Sequence, residues 1–158
     1  VIAVVDVAPF LWFDDDAEQA LEFYAGVFAN SEVISVTRMD VPTMPNGGFV
    51  IGTIRIENLT ITIMNGGPTF SLNEAFSLVV SCRDQAEVDY YWSALGDGGE
   101  PSQCGWLKDR FGLSWQVIPT LLVELLSDPD REKSERVRDA MMTMSKIECD
   151  TLQVAYDG

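Results

Sequence analysis

The residues best suited to chemistry in this chain cluster between Cys104 and Pro119. Cys104 offers a thiol, Lys108 and Asp109 carry opposite charges, Ser114 is a hydroxyl and Gln116 an amide. A polar turn at Asp109 to Gly112 separates two short strands. The second strand alternates, with Leu113, Trp115 and Val117 on one face and Ser114, Gln116 and Ile118 on the other. One face suits a core; the other could look into a cavity, where Gln116 would hydrogen-bond a ligand. Its other reading is a satisfied structural amide between strands. Ser77 has the same two readings. Cys104 has no histidine to activate it. A buried, inert thiol is the simpler reading, and Lys108 would lower its pKa only if the two side chains meet. Trp106 could line a pocket for a flat or apolar ligand. Arg55 alternates with Ile54 and Ile56, so it would take a carboxylate or phosphate if its face is concave and stay a solvated charge if it is not. Asn65 precedes two glycines, where turn conformation alone explains it. Asp14, Asp15 and Asp16 resemble a divalent-ion ligand set, but consecutive residues cannot all point at one ion, and helix capping plus solvation account for them.

Composition removes several chemistries. The 158-residue chain contains no histidine, which excludes Ser-His-Asp and Cys-His nucleophile pairs and imidazole metal ligands. Its net charge of −15 opposes nucleic-acid backbones and anionic membranes. Cys82, Cys104 and Cys149 have no CxxC spacing, and an odd, scattered set suits a reducing compartment. A hydrophobic fraction of 47%, no run long enough to span a bilayer and no leader pattern predict a soluble protein of the cytoplasm.

The elements that must position these residues follow one grammar, used twice. Pro9 to Phe13 is an apolar run, Asp16 is a candidate N-cap with Gln19 completing a capping box, and Ala17, Ala20, Leu21, Tyr24, Val27 and Phe28 form a helical stripe. Ser77 to Cys82, Asp84 with Glu87, and Val88, Tyr91, Trp92 and Leu95 repeat that order. Phe23-Tyr24 and Tyr91-Trp92 occupy the same place in each copy, which marks a duplicated module. The first helix is followed by strands over Glu32 to Met39, Phe49 to Glu57 and Leu59 to Met64, with a turn near Asn58 and a loop over Val41 to Gly48. The tail predicts a helix with Pro129 at its first position behind Asp128 and a stripe of Val137, Ala140, Met141 and Met144, with a last turn over Thr151 to Tyr156. The methionines suit core or a subunit interface. Trp12, Trp92 and Trp115 are expected to face the helices.

A βαβββ module used twice resembles the plan of the vicinal oxygen chelate superfamily. Pro9-Phe10-Leu11-Trp12-Phe13, Phe23-Tyr24, Asn65-Gly66-Gly67-Pro68, Ser77-Leu78-Val79-Val80, Asp84 to Asp89 with Trp92, Cys104 to Asp109, Ser114-Trp115-Gln116 and Asp128-Pro129-Asp130 resemble, more closely, its PhnB-like family, whose name is 3-demethylubiquinone-9 3-methyltransferase. The resemblance implies an α+β fold: one domain over residues 1–158, with a first module at about 5–68, a second at about 74–119 and a helical extension at about 120–158. It places the superfamily's four metal positions at Pro9, Met64 or Asn65, Ser77 and Gln116. None of these is an imidazole or a carboxylate, so no metal and no cofactor is expected. No glycine-rich turn follows the first strand, so the methyl donor of the common methyltransferase fold has no recognisable site. The expected function is small-molecule binding without a metal, in a pocket lined by Leu11, Phe13, Ser77, Ser114 and Gln116, with Arg55, Asn65, Cys104 and Trp106 as further candidates. The alternative is an enzyme of the superfamily (lyase, dioxygenase or methyltransferase) with an unrecognised cofactor. The resemblance also implies a homodimer.

Overall fold

A computed structural model describes residues 5–44 and 47–158. The chain forms two compact units that divide between Leu72 and Asn73. In the first, β1 (Phe10–Phe13) leads through α1 (Ala17–Val27) to β2 (Ser31–Asp40), β3 (Gly48–Ile56) and β4 (Leu59–Asn65). The strand order is β1-β4-β3-β2, with β1 parallel to β4 and the other pairs antiparallel. In the second unit, β5 (Ser77–Cys82), α2 (Gln85–Gly96), β6 (Glu100–Pro101), β7 (Trp106–Lys108) and β8 (Ser114–Pro119) repeat this plan in the order β5-β8-β7-β6. The duplicated βαβββ module and the α+β class are thus as the sequence predicts. The tail forms α3 (Thr120–Leu126), α4 (Arg131–Met141) and α5 (Cys149–Asp157).

Each helix covers one face of its sheet. The stripe Ala17, Ala20, Leu21, Tyr24 and Val27 is buried, as its spacing requires. A Cβ on Gly52 would lie 2.3 Å from Leu21 Cδ1, so glycine lets α1 approach the sheet. Gly52 pairs with Ile63, and Ile63 pairs with Leu11. That register puts Leu11 on the face toward α1. Leu11 and Phe13 are 5% and 2% exposed, within the core. The expectation that they line a pocket on the face away from the helix is therefore corrected. Trp12 takes the opposite face, contrary to its expected place against the helix. Its indole donates to Gly67 O at 2.8 Å, and a Cβ on Gly66 would collide with its ring at 2.4 Å. The Asn65-Gly66-Gly67-Pro68 string is a seat for this ring.

The second α-helix is capped as predicted: Asp84 accepts from Glu87 N at 2.9 Å, while Glu87 accepts from Arg83 N at 2.7 Å. Asp16 stands at the N-cap of α1, but its side chain makes no cap hydrogen bond with the first turn. In the tail, the cap is Asp130, which accepts from Glu132 N and Lys133 N. The helix thus starts at Arg131, two residues beyond the expected Pro129. Asp128 instead accepts from Asp130 N and from the Tyr156 hydroxyl. Leu122, Leu125, Val137, Met144, Ile147 and Leu152 make the tail's own core, with Met141 packed against it. Met144 and Met141 thus serve as core, while Met142 is exposed. The expected last turn is a full helix, α5.

Candidate functional site on the open face of the second sheet

The turn that opens the site is built around Asp109, which is 3% exposed. Its Oδ1 accepts from Phe111 N at 2.9 Å and Leu113 N at 3.0 Å, and its Oδ2 accepts from Trp115 Nε1 at 2.8 Å. Gly112 closes the turn at φ +87°, a conformation that suits glycine. One buried carboxylate therefore fixes both the turn and the core indole. Trp115 faces inward with Leu113 and Val117, as alternation predicts.

With Trp115 inward, Ser114 and Gln116 point away from α2. Leu107 also faces α2, since Gly96 would meet it at 3.8 Å. Its neighbours Trp106 and Lys108 therefore share the open face with Ser114 and Gln116. Across the sheet, Ser77 pairs with Ser114, which pairs with Lys108; Val79 pairs with Gln116, which pairs with Trp106. Gln116 Nε2 donates to Ser77 Oγ at 2.9 Å. Ser114 is 1% exposed, and its hydroxyl has no hydrogen-bond partner among the described residues. Lys108 Nζ lies 2.5 Å from Glu74 Oε1. This pairing raises the Lys108 pKa and lowers that of Glu74. Ser77, Trp106, Ser114 and Gln116, picked from sequence, thus come together on one face.

The other candidates do not join them. Asn65 pairs with Phe13 and lies on the helix side of the first sheet, where its side-chain oxygen accepts from Val50 N. Arg55 is in the first unit. Its guanidinium donates to Asn30 Oδ1 and Glu57 O, each at 3.1 Å, and lies 3.5 Å from Glu32. Cys104 sits before β7 at φ +57°, with its sulfur 3.8 Å from that of Met142. Lys108 is held by Glu74 and not by this thiol.

Two features went unrecognised in the sequence. Glu74 falls in a segment with no periodic signal, so nothing marks it as a partner of Lys108. A cavity of about 480 Å³ lies beside α2 and is lined by Trp92, Asp97, Pro101 and Leu107, among others. Pro101, one of its lining residues, belongs to β6, which is only two residues long. Trp92 is half-buried there, not fully in the core.

The four positions implied for a metal do not fit one. Pro9 has no side-chain donor, and its carbonyl already accepts from Thr62 N at 3.0 Å. Asn65 faces the helix side, and Met64 offers only a thioether. Ser77 and Gln116 are neutral and bonded to each other. Among the described residues, no group of three or more His, Cys, Asp or Glu side chains could hold an ion. The methyl-donor site of doubly wound folds does not fit either: each sheet has one parallel pair, and carboxylates follow β1. Among the described residues, no helix is long and apolar enough to cross a membrane.

A family model described as 3-demethylubiquinone-9 3-methyltransferase matches residues 5–118. Among solved structures, a PhnB protein from Bacillus cereus is 27% identical with a TM-score of 0.66, over 73% of this chain and 99% of that one. Protein PA1353 from Pseudomonas aeruginosa is 16% identical with a TM-score of 0.57, over 73% and 98%. A fosfomycin resistance protein, FosX, from Listeria monocytogenes is 20% identical with a TM-score of 0.56, over 81% and 100%. The last two share the fold. No curated protein matches this chain. The family match ends at residue 118, so α3 to α5 lie beyond it.

Proposed function

The chain belongs to the PhnB-like, 3-demethylubiquinone-9 3-methyltransferase-named family of the vicinal oxygen chelate superfamily, and from this premise we propose that it binds a small organic molecule without a metal. The ligand lies on the open face of the second sheet. The observation that carries the reading is the Ser77–Gln116 pair beside the unpartnered hydroxyl of Ser114. These are neutral, directed groups at two positions where the resemblance implies metal ligands. A divalent ion would find no charge there to offset its dehydration, whereas an organic ligand needs a few convergent polar groups within an apolar lining, here Trp106 and Val79. Gln116 exchanges its bond to Ser77 for one to the ligand. The protein acts in the cytoplasm, as one domain, as a homodimer and away from nucleic acid and membrane. The long, exposed edge strand β2, with Val33, Ile34, Val36 and Met39 exposed, supports pairing with a second copy.

The test is a thermal-shift series on protein purified without chelator, with Mn²⁺, Ni²⁺ and Zn²⁺ set against a library of small organic molecules. The expected result is stabilisation by an organic compound, weakened by Gln116→Ala by about 1–3 kcal/mol, with no response to the metals. A stoichiometric, tightly bound cation that Gln116→Ala releases would refute the reading.

A further inference from the structure

The open face of the second sheet carries a second arrangement, and its interpretation rests on that face being the ligand face. Ser77, Ser114 and Lys108 sit side by side on β5, β8 and β7. Glu74, three residues before Ser77, reaches Lys108 at 2.5 Å. The strands β5 and β7 are two spacings apart, about 9–10 Å. The ion pair therefore joins residues of the two segments that flank β8, the strand of Ser114. Between them, Ser114 carries a buried hydroxyl with no partner among the described residues, an uncommon and costly state for a buried polar group. The two ends of the pair differ. The Glu74 side chain is 65% exposed and that of Lys108 is 31% exposed. The carboxylate sits on the solvent side and can swing away, while the ammonium belongs to the sheet.

We propose that Lys108 and Ser114 form an anchoring subsite for the carboxylate of a small organic acid, which displaces the tethered carboxylate of Glu74. A carboxylate has two oxygens. One meets the Lys108 ammonium, which Glu74 already shows can hold a carboxylate; the other accepts from the Ser114 hydroxyl, which Glu74 leaves unused. The incoming acid thus makes a bond that the internal carboxylate does not. Ser77, beside Ser114, and Gln116, two residues along β8, are left to recognise the rest of the molecule. The net charge of −15 opposes attraction at a distance. Selectivity therefore comes from this donor pair, and a singly charged acid is favoured over a polyanion.

Benzoate and its neutral isostere benzamide are the probes, titrated into the ¹⁵N-labelled full chain. Benzoate is expected to move the amide signals of Lys108 and Ser114 more strongly than benzamide. Glu74→Gln, an exposed change that spares the fold, should tighten benzoate about two- to fivefold, the factor of a part-exposed ion pair removed as competitor. Ser114→Ala should weaken benzoate at least about tenfold, the loss of a hydrogen bond to a charged group, and weaken benzamide, whose neutral carbonyl accepts a weaker bond, by much less. Equal binding of benzoate and benzamide at Ser77 and Gln116 would overturn the anion subsite while leaving the ligand face standing. Absence of any benzoate response at Lys108 and Ser114 in the Glu74→Gln protein, where the competitor is gone, would also overturn it. A cation bound at Gln116 would instead remove the reading on which the subsite rests.

Discussion

Asp109→Ala is the most severe test of how this site is held. The carboxylate accepts from Phe111 N, Leu113 N and Trp115 Nε1, and the bonds from Leu113 N and Trp115 Nε1 are buried. That from Phe111 N is only part-buried, so water can replace it. Alanine would strand two buried donors at about 1–3 kcal/mol each. Removing a buried charge returns part of this cost, which leaves a net loss of about 2–4 kcal/mol. A typical domain has about 5–15 kcal/mol in total. With an m-value of about 2 kcal/mol/M, the urea midpoint should fall by about 1–2 M with little change in slope. Near-UV circular dichroism reports on the indole, so the transition can be followed at the affected core. Asp109→Asn separates the two roles. Its amide oxygen can still accept from the turn, but its NH₂ would face the donor of Trp115, so the turn should be restored and the indole left unpaired. Asn should thus recover about half of the loss. A loss below about 1 kcal/mol for alanine, or an asparagine variant as stable as the parent, would refute the claim that this carboxylate fixes turn and core together.

Gly105→Ala requires a side chain at φ +83°, with its Cβ 2.8 Å from Ile118 Cδ1, 2.9 Å from Val117 O and 3.1 Å from Ile147 Cγ1; strain and overpacking should cost about 2–4 kcal/mol, seen as a lower urea midpoint and faster hydrogen exchange at Ile147. The thiol of Cys82 is fully buried, and burial pushes its pKa up to about 12; since only the thiolate is nucleophilic, iodoacetamide near neutral pH should alkylate the half-buried Cys104 and spare Cys82 until denaturant is added, and equal rates would count against this burial. Light scattering should give twice the chain mass at micromolar concentration, and a monomer mass would remove the dimer.

Much of the fold was legible because local and long-range signals agree. The α1 stripe, the Asp84 cap and the Ser77–Cys82 strand each follow from spacing alone, and the repeat confirms them by occurring twice. The start of the tail helix was misplaced because Asp128 and Asp130 flank Pro129 and either can cap. The tie of Asp128 to Tyr156 OH, 2.6 Å away across 28 residues, decides between them. No local pattern encodes such a contact. The same holds for Glu74, whose partner Lys108 is brought near only by the register of the second sheet. The methionines were ambiguous for another reason: an apolar stripe states that it is covered but not by what, and here Ile147 and Leu152 from the same chain do the covering.

The phase of a strand decides whether alternation can find a site. In β8, polar and apolar residues alternate from Ser114 to Val117, so the burial of Trp115 forces Ser114 and Gln116 to the open face. In β1, Phe10, Leu11, Trp12 and Phe13 are all apolar, so a shift of one residue costs nothing that the sequence can display. The phase comes from β4 and from the missing side chain of Gly52. With it set, the open face of the first sheet offers Thr53 and Thr62, whose hydroxyls lie 3.0 Å apart and satisfy each other. Ser77 and Gln116 are likewise paired. A ligand reaching any of these four must break a bond to make one, so the exchange itself adds little, and truncating Gln116 weakens binding only because it leaves the ligand's own group unpaired. Ser114 is different. Its hydroxyl has already left water without finding a partner, so the first acceptor to arrive gains a bond without breaking one. Binding energy on this face should therefore concentrate at Ser114.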